Sequence, residues 1–279
     1  MVQIIQSKSV ITVHSFKGGS GRTTFALNLA HRLSATMDKS VLLIDGDIRA
    51  PSFYKIFNDK NTNKQYFWAD LLNMKPESIT LNIIRKFIRK TAVKNLDIIL
   101  ADQPKLGKNF LSNKSISYWL QALEVSFKCR ELFFNEFGYD YIIIDNESGV
   151  TMNAVNNVAL ANLTYIILRP VLYGVTGTAH MFRQTYKSVH ELTNKLWEKQ
   201  TYLIWNQVPV LEESNENYEE SMKIMEEWTQ FFEKEGIKTL LTIPYQTDQN
   251  IAMMKIQDGP MFGVTDFFQD KLKKLSELE

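Results

Sequence analysis

Residues 11–24, with the sequence ITVHSFKGGSGRTT, constrain the fold of this chain more than any other segment. The apolar run at 10–13 predicts a strand, and the residues that follow the glycines predict a helix. Between them lie Gly18, Gly19 and Gly21, and glycine lets backbone N–H groups turn inward around a phosphate chain. The helix N-terminus adds a partial positive charge. An ordinary turn would not need three glycines, a lysine and two threonines so close together, so the segment predicts a phosphate-binding loop.

The loop departs from the P-loop pattern G-x-x-x-x-G-K-[ST] at two positions. Phe16 stands in the place of the first glycine, and Arg22 stands in the place of the lysine. A lysine instead precedes the glycine pair, as Lys17-Gly18-Gly19. In these features the segment resembles the deviant Walker A motif of the ParA/MinD family of P-loop ATPases, in the SIMIBI class. The resemblance implies that ATP is bound, together with Mg²⁺, by Gly18, Gly19, Ser20, Gly21, Arg22, Thr23 and Thr24.

Short apolar runs recur along the whole chain and alternate with helical stretches. The predicted strands are residues 10–13, 41–44, 96–100, 141–144, 165–168, 202–205 and 239–242. The predicted helices are residues 23–33, 115–136, 176–198, 217–235 and 264–278. Strands without polar alternation are typical of parallel sheets that are buried on both faces. We therefore expect an α/β P-loop NTPase fold, a doubly wound and mostly parallel sheet flanked by helices on both faces, in one domain of residues 1–279.

Two carboxylates follow the predicted strand 41–44, in the sequence Asp45-Gly46-Asp47. Carboxylates at the C-terminal end of a strand, beside a phosphate loop, lie where Mg²⁺ and an attacking water would be held. The resemblance implies that Asp47 orients the hydrolytic water and that Asp45 and Asp47 contribute to the metal shell. The segment is similar to the D-x-D-x-R-x-P-S signature of some family members.

A third carboxylate ends the apolar strand 141–144, which is the Walker B arrangement. By the resemblance, Asp145 holds Mg²⁺ through water while Thr23 ligates the ion directly. The next four residues, NESG, lack the proline that family members usually have at this place, and they include an extra carboxylate, Glu147. The role of Glu147 stays open.

Two weaker matches lie near the C-terminal part of the predicted sheet. Asn206 follows strand 202–205, where the family places an asparagine that recognises adenine. Ile243-Pro244-Tyr245 resembles the family's I-P-[YF] segment, whose backbone borders the base. The resemblance therefore implies that Asn206, Pro244 and Tyr245 complete the nucleotide site.

Lys17 and Arg22 say most about mechanism. In the family, the lysine that matches Lys17 reaches the phosphates bound by a partner subunit, so ATP completes a dimer interface that ADP cannot. The alternative is that Lys17 contacts only its own nucleotide. Arg22 keeps the positive charge of the usual lysine, but its guanidinium is planar and has a longer reach. We expect intact nucleotide binding and slow hydrolysis, with Lys17, Arg22 and Asp47 as the catalytic group.

Composition limits the remaining possibilities. The net charge of +1 provides no global field for nucleic acid, so contact with DNA or a membrane requires a local patch. Cys129 is the only cysteine, which excludes a disulfide and a cysteine-paired metal site within one chain. The sequence shows no signal-peptide pattern and no run of about 18 apolar residues, so we expect a cytoplasmic protein.

Two further patterns predict core packing rather than a site. None of the four histidines has metal-ligand spacing, and His14 is predicted to lie in the core. The apolar residues of helix 217–235 recur at helical spacing and are also predicted to face the core, namely Met222, Met225, Trp228 and Phe232.

Three functions remain open on these grounds. The first is a ParA-like ATPase that dimerises on ATP and binds non-specific DNA, to segregate DNA or position cargo. A basic stretch at 85–114, or lysines near the C-terminus, would contact the DNA phosphates. The second is a MinD- or FlhG-like positioning ATPase with helix 264–278 as a membrane anchor, although a packed core helix is favoured there. The third is a nucleotide-bound adaptor with little turnover. The resemblance also implies a homodimer and a stimulating or adaptor protein as partners.

Overall fold

The structure is a computed structural model that describes residues 8–57, 66–101, 114–193 and 199–245, and its central element is an eight-stranded sheet. The strands are β1 (Ser9–His14), β2 (Val41–Gly46), β3 (Arg89–Lys90), β4 (Leu96–Ile99), β5 (Tyr141–Asn146), β6 (Leu163–Leu168), β7 (Gln200–Val208) and β8 (Lys238–Pro244). Their order across the sheet is β3-β4-β2-β5-β1-β6-β7-β8. Among these strands only β3 and β4 pair antiparallel. All seven predicted strands are present, and β3 is an additional strand that the sequence does not predict.

Helices cover both faces of this sheet. They are α1 (Arg22–His31), α2 (Phe53–Ile56), α3 (Trp68–Leu72), α4 (Leu81–Ile84), α5 (Ile116–Asn135), α6 (Met152–Leu160), α7 (Leu172–Met181), α8 (Lys187–Thr193) and α9 (Tyr218–Lys234). A π-helical segment, Arg32–Thr36, extends α1, and a second one, Phe182–Tyr186, joins α7 to α8. Helix α1 packs on one face, and α3, α5, α7 and α9 pack on the other. The predicted fold class is therefore confirmed.

The central strands have apolar sequences because both of their faces are covered. Every residue of β1, β2, β5 and β6 is buried. Successive side chains of a strand point to opposite faces, so Ile11 and Val13 join the cluster under α1 while Val10 joins the opposite cluster. Parallel pairing also brings the carboxyl ends of these strands to one edge of the sheet, where ligands bind in folds of this kind.

The helix predictions are confirmed in part. Helices α1, α5 and α9 match their predicted ranges within a few residues. The helix predicted at 176–198 begins earlier, at Leu172, and residues 194–198 lie outside the described residues, as does the predicted helix 264–278. In α9, Phe232 is fully buried and Trp228 packs against the core, but Met222 is 55% exposed, so its predicted core position is wrong. Among the described helices, none has the length and hydropathy needed to cross a membrane.

Candidate functional site

The loop between β1 and α1 has the backbone of a phosphate cradle. Gly19 and Gly21 have φ values of +74° and +94°, in the left-handed region that favours glycine. Gly18 and Gly19 are exposed, and Gly21 is the N-cap of α1. The N–H groups of a first helical turn have no partner within the helix, and together with the helix dipole they suit an anion. The structure therefore brings residues 18–24 together in a form that fits the phosphates of a nucleotide.

Arg22 is turned back onto the loop and is only 10% exposed. Its Nη1 donates a hydrogen bond of 2.5 Å to Ser15 Oγ and lies 3.4 Å from the carbonyl oxygen of Lys17. Its Nη2 lies 3.7 Å from Oδ2 of Asp47, which follows β2. The planar guanidinium thus contacts three groups at once, which a lysine ammonium would not do with the same geometry. The predicted role of Arg22 in hydrolysis stays a prediction.

Asp145, at the end of β5, faces the start of α1. Thr23 Oγ1 donates a hydrogen bond of 2.7 Å to Asp145 Oδ2, whereas Asp145 Oδ1 is buried and forms no hydrogen bond. Burial raises the pKa of Asp145 to about 7, although the Thr23 hydrogen bond and the charge of Arg22 oppose this shift. A buried carboxylate oxygen without a partner costs free energy, so the site fits a cation.

Thr23 and Asp145 supply the hard oxygen ligands that Mg²⁺ prefers. Among the described residues, no three His, Cys, Asp or Glu side chains are grouped so that they could hold a metal ion by themselves. When bound beside Thr23 and Asp145, Mg²⁺ would offset the negative charge of nucleotide phosphates. The structure brings together the two residues that the sequence assigns most directly to this ion.

Asp45 organises the loop that follows β2. It is fully buried, and its Oδ1 accepts a hydrogen bond from the N–H of Asp47 at 3.2 Å. Its Oδ2 accepts from the N–H groups of Ser52 and Phe53, at 3.1 Å each. Burial, followed by the charge of Asp145, raises the pKa of Asp45 well above its ordinary value. Asp45 therefore fixes the backbone next to the site, and its place in a metal shell stays a prediction.

Asp47 lies between the phosphate loop and the segment that follows it. Its Oδ1 accepts a hydrogen bond of 2.9 Å from the N–H of Ala50, and its Oδ2 faces Arg22. Both oxygens are therefore engaged by groups of the protein. The predicted water-orienting role of Asp47 would require that at least one of these contacts changes.

Asn206 reaches the phosphate loop from the end of β7. Its Nδ2 donates a hydrogen bond of 2.7 Å to the carbonyl oxygen of Ser20, and a Cβ atom at Gly21 would come within 2.2 Å of that nitrogen. A side chain at position 21 is therefore excluded by Asn206 as well as by the backbone angle. Tyr245 is 47% exposed, and its N–H donates to the carbonyl oxygen of Val208 at 2.7 Å, which holds the end of β8 beside β7. The adenine-binding roles of Asn206, Pro244 and Tyr245 stay predictions.

Lys17 is exposed at the outer surface of the loop, beside a packed aromatic ring. The Phe16 ring lies against Gly177 of α7, where a Cβ atom would come within 2.2 Å of it. The Lys17 ammonium lies 5.3 Å from the centre of the same ring. Phe16, in the place of a loop glycine, therefore anchors the loop to α7 and leaves Lys17 facing outward.

Two further residues, Ser15 and His14, lie at the site although no motif indicates them. Ser15 Oγ accepts from Arg22 and donates to the Lys17 carbonyl oxygen at 2.7 Å. His14 is 1% exposed, as its core prediction requires, and burial, followed by the charge of Arg22, lowers its pKa to about 3. Backbone hydrogen bonds of Glu147 and Gly149 act in the opposite direction on this pKa. Both residues belong to an apolar strand end, and only the folded contacts show that they touch the site.

The parallel sheet, the glycine loop and the carboxylates at the strand ends define a P-loop NTPase. A family model described as an AAA domain, AAA_31, matches residues 8–198. The septum site-determining protein MinD of Helicobacter pylori is 27% identical over 161 residues, which are 58% of this chain and 53% of that protein. The chain belongs to the ParA/MinD family of P-loop ATPases. It spans about half the length of this curated relative.

Solved structures with the same fold cover nearly the whole chain. Apo McdA from Cyanothece has a TM-score of 0.72 at 17% identity and covers 97% of this chain and 98% of its own. A putative plasmid partition protein from Borrelia burgdorferi, bound to AMPPNP, has a TM-score of 0.67 at 21% identity and covers 98% of both chains. At these identities the likeness shows the fold alone.

Proposed function

We propose that this protein is an ATP-dependent dimerisation switch that hydrolyses ATP slowly and acts in DNA partition or cargo positioning through non-specific DNA binding. The observation that carries the proposal is the position of Lys17. Its side chain is exposed beside a cradle for phosphates, with the ammonium 5.3 Å from the centre of the Phe16 ring, while its carbonyl oxygen is the part of the residue that Ser15 and Arg22 contact. A positive charge in that position is suited to contact the phosphates of a nucleotide that a second subunit binds.

An apolar rim around Lys17 supports the dimer. Val150 and Met152 are 48% and 42% exposed after β5, and Leu172 and Tyr173 are 65% and 63% exposed at the start of α7. Each pair belongs to a segment that contacts the loop, since Gly149 lies against the Phe16 carbonyl oxygen and Gly177 lies against the Phe16 ring. Exposed apolar groups that cluster near one site are typical of interaction surfaces. A second copy of the chain would cover them.

ATP would favour this dimer more than ADP would. The γ-phosphate adds negative charge at the site, and charge-assisted contacts to phosphate oxygens are the stronger class of hydrogen bond. The switch therefore depends on the difference in charge between the two nucleotides, as in other nucleotide-controlled transitions. Mg²⁺ at Thr23 and Asp145 would belong to the same bound state.

A second candidate, a nucleotide-bound adaptor with little turnover, is favoured by the contacts of Arg22. The Arg22 guanidinium donates a hydrogen bond to Ser15 and pairs with Asp47. Arg22 and Asp47, two members of the predicted catalytic group, therefore contact each other. Moving these groups into a reactive geometry would add to the barrier, and errors of about 1 Å can cost on the order of a hundredfold in rate. The same contacts support slow hydrolysis in the first candidate.

Exposed cations at the β3 edge support contact with DNA. Arg85 and Lys86 are exposed, and Lys90 and Lys94 are 86% and 73% exposed although they pair with Asp97 and Asp38. The Lys94–Asp38 pair is exposed on both sides, and such pairs contribute only about 0–1 kcal/mol, so a phosphate can replace Asp38. Asp97, the partner of Lys90, is only 8% exposed. Of the other lysines of the basic stretch, Lys114 donates a hydrogen bond to Asn73 Oδ1 at 3.3 Å, and those at 105 and 108 lie outside the described residues. The membrane-anchor helix of the alternative lies outside them as well.

Binding to non-specific duplex DNA and to anionic vesicles, each with ATP and with ADP, tests the proposal. ATP-dependent DNA binding that weakens with salt is the expected result. Vesicle binding that is lost on deletion of residues 266–279, with the fold intact, would instead support a MinD-like membrane role. Binding to neither surface, with nucleotide bound and not hydrolysed, would support the adaptor.

A further inference from the structure

The side chain of Asn206 holds the phosphate loop from the end of β7. Asn206 is 8% exposed, and its Nδ2 donates a hydrogen bond of 2.7 Å to the carbonyl oxygen of Ser20. Ser20 is itself only 4% exposed, so the bond is shielded from water. A hydrogen bond in such surroundings is electrostatically stronger than the same bond in water. The contact therefore fixes the direction of the Ser20 carbonyl group.

A fixed carbonyl group also fixes the N–H group that follows it. The peptide bond is planar and trans, so the N–H of Gly21 points opposite to the carbonyl group of Ser20. Among the described residues, no acceptor is paired with this N–H, whereas the carbonyl oxygen of Gly21 accepts the first hydrogen bond of α1, from Phe25 at 3.0 Å. The Gly21 N–H is thus directed away from Asn206 and can donate to an anion in the loop.

A bulge in β7 lies where Asn206 turns toward the loop. Trp205 pairs with Thr242, and Val208 pairs with Pro244. Between these pairs, two residues of β7 oppose one residue of β8, and a bulge of this kind changes the direction of a side chain. Gln207, the second residue of the bulge, has a φ of +57°. Outside glycine, this left-handed region is adopted mainly by asparagine, aspartate and histidine.

The left-handed backbone of Gln207 brings two successive side chains to one place. A Cβ atom at Gly21 would come within 2.2 Å of Asn206 Nδ2 and 3.7 Å of Gln207 Nε2. In a regular strand, successive side chains point to opposite faces. Strained backbone of this kind persists only where the surrounding structure requires it, and it clusters at functional sites. The bulge therefore accounts for the direction of the Asn206 side chain.

We propose that Asn206 is a positioning residue that orients the Gly21 N–H toward a phosphate oxygen of the bound nucleotide, and that the bulge at Gln207 directs Asn206 to the loop. This inference rests on the proposed function. Because Asn206 acts through the loop, its contribution is the same for any ligand with a triphosphate chain, whatever the base. The family resemblance assigns Asn206 to adenine instead, so the two roles predict different results.

Replacement Asn206→Ala removes the donor to Ser20 without adding a charge. Binding is measured for three ligands with Mg²⁺: non-hydrolysable analogues of ATP and of GTP, and inorganic tripolyphosphate. We expect the dissociation constant to rise at least about tenfold for all three, by factors that agree within about threefold, because the weakened contact is to a charged oxygen. Asn217→Ala, at an exposed position before α9, is the control and should match the wild type.

A second set of variants separates positioning from stability. Gln207→Val places a β-branched side chain at a left-handed φ and should weaken the binding of all three ligands, whereas Gln207→Gly, which adopts this φ freely, should weaken it less. Asn95→Val is the matched control, because Asn95 has a φ of +60° and precedes β4, at the edge of the sheet opposite to the phosphate loop. It should lower the melting temperature as Gln207→Val does and leave the dissociation constants unchanged.

Three results would overturn the inference and leave the proposed function standing. The first is an Asn206→Ala loss confined to the ATP analogue, or a wild type that binds this ligand alone, since either assigns the end of β7 to the base. The second is an Asn206→Ala protein whose affinities for all three ligands stay within about twofold of the wild type. The third is Gln207→Val binding no weaker than that of Asn95→Val. A wild type that binds none of the ligands would overturn the proposed function itself, and this inference with it.

Discussion

Arg22 stands where the P-loop pattern has a lysine. A P-loop lysine is a compact charge that stays with the phosphates, but Arg22 contacts Ser15, the Lys17 carbonyl oxygen and Asp47. These contacts use the planar fork of the guanidinium, and lysine cannot reproduce them. Arginine at this position therefore pairs with a second member of the predicted catalytic group, Asp47, at 3.7 Å.

Replacement Arg22→Lys is expected to raise steady-state ATPase activity, by roughly ten- to a hundredfold, because it releases Asp47 and restores a point charge at the phosphates. Turnover is measured at saturating ATP for the wild type and the variant. Arg85→Lys, at an exposed position away from the loop, is the control. Equal and fast turnover in the wild type and the variant would show that Arg22 does not limit the chemistry.

His14 links stability to pH. Burial lowers its pKa in the folded state to about 3, from 6.5 for an ordinary histidine. The folded state then binds fewer protons than the unfolded state, so the stabilisation is complete above about pH 6.5 and is lost as pH falls toward 3. Each pH unit within that window costs about 1.4 kcal/mol.

The variant His14→Gln should therefore lose less of its free energy of unfolding than the wild type between about pH 7 and pH 5. Denaturant titrations at several pH values measure the difference. Asp45 and Asp145, whose pKa values are raised by burial, act in the opposite direction, but they are present in both proteins. His180→Gln, at an exposed site on α7, is the control. Parallel curves for wild type and His14→Gln would contradict the prediction.

At the scale of elements, the end of α6 depends on one lysine. Lys199 Nζ donates to the carbonyl oxygens of Val158, Ala159 and Ala161, at 3.1, 2.8 and 2.6 Å. The last carbonyl groups of a helix have no partner within it, and a cation there also complements the helix dipole. The side chain at the start of β7 therefore closes the C-terminus of a helix that is distant in sequence.

Replacement Lys199→Met keeps the apolar part of the side chain and removes these hydrogen bonds. We expect the free energy of unfolding to fall by about 1–3 kcal/mol, the usual cost of buried acceptors left without donors. Lys223→Met, on the exposed face of α9, should change it by less than about 0.5 kcal/mol. Equal stability of the two variants, measured by denaturant titration, would contradict the role of Lys199.

The sequence predicts the elements that bury continuous apolar runs and misses those that bury polar groups. Helix α6 is the clearest example, since Asn153, Asn156 and Asn157 interrupt its apolar pattern although all three are buried. Their side-chain amides donate to Gly46, Trp119 and Asn146. These partners are 11 to 107 residues away in sequence, so no local pattern indicates them. Strand β3 is missed because it is two charged residues long.

In the candidate site too, the sequence predicts the motifs but not the side-chain contacts between them. Motif spacing predicts that the glycine loop, Thr23 and Asp145 lie at one edge of the sheet, because parallel strands end there, and Thr23 does hydrogen-bond Asp145. Motif spacing does not show that the Asp45 carboxylate accepts hydrogen bonds from backbone N–H groups, nor that the Asn206 side chain donates to the carbonyl oxygen of Ser20. Hydrogen bonds of this kind depend on side-chain direction, which sequence order does not determine.

At the scale of the whole molecule, the carboxyl edge of the sheet contains both the phosphate loop and an apolar surface. Val150, Met152, Leu172 and Tyr173 are exposed there, although the strands that precede them are buried. Isolated exposed apolar residues need no explanation, but a group that flanks the nucleotide cradle does. A dimer that forms across this edge would bury the apolar rim and bring each Lys17 toward the partner's phosphates.

Two variants test this arrangement separately from nucleotide binding. Lys17→Gln should bind a non-hydrolysable ATP analogue with an affinity within about threefold of the wild type, yet remain monomeric, because the neutral amide cannot neutralise a partner's γ-phosphate. Tyr173→Ser should weaken the dimer by removing apolar area from the rim. Sedimentation with the analogue and with ADP measures both, with Lys223→Gln as control. A Lys17→Gln protein that dimerises like the wild type would show that Lys17 serves only its own nucleotide.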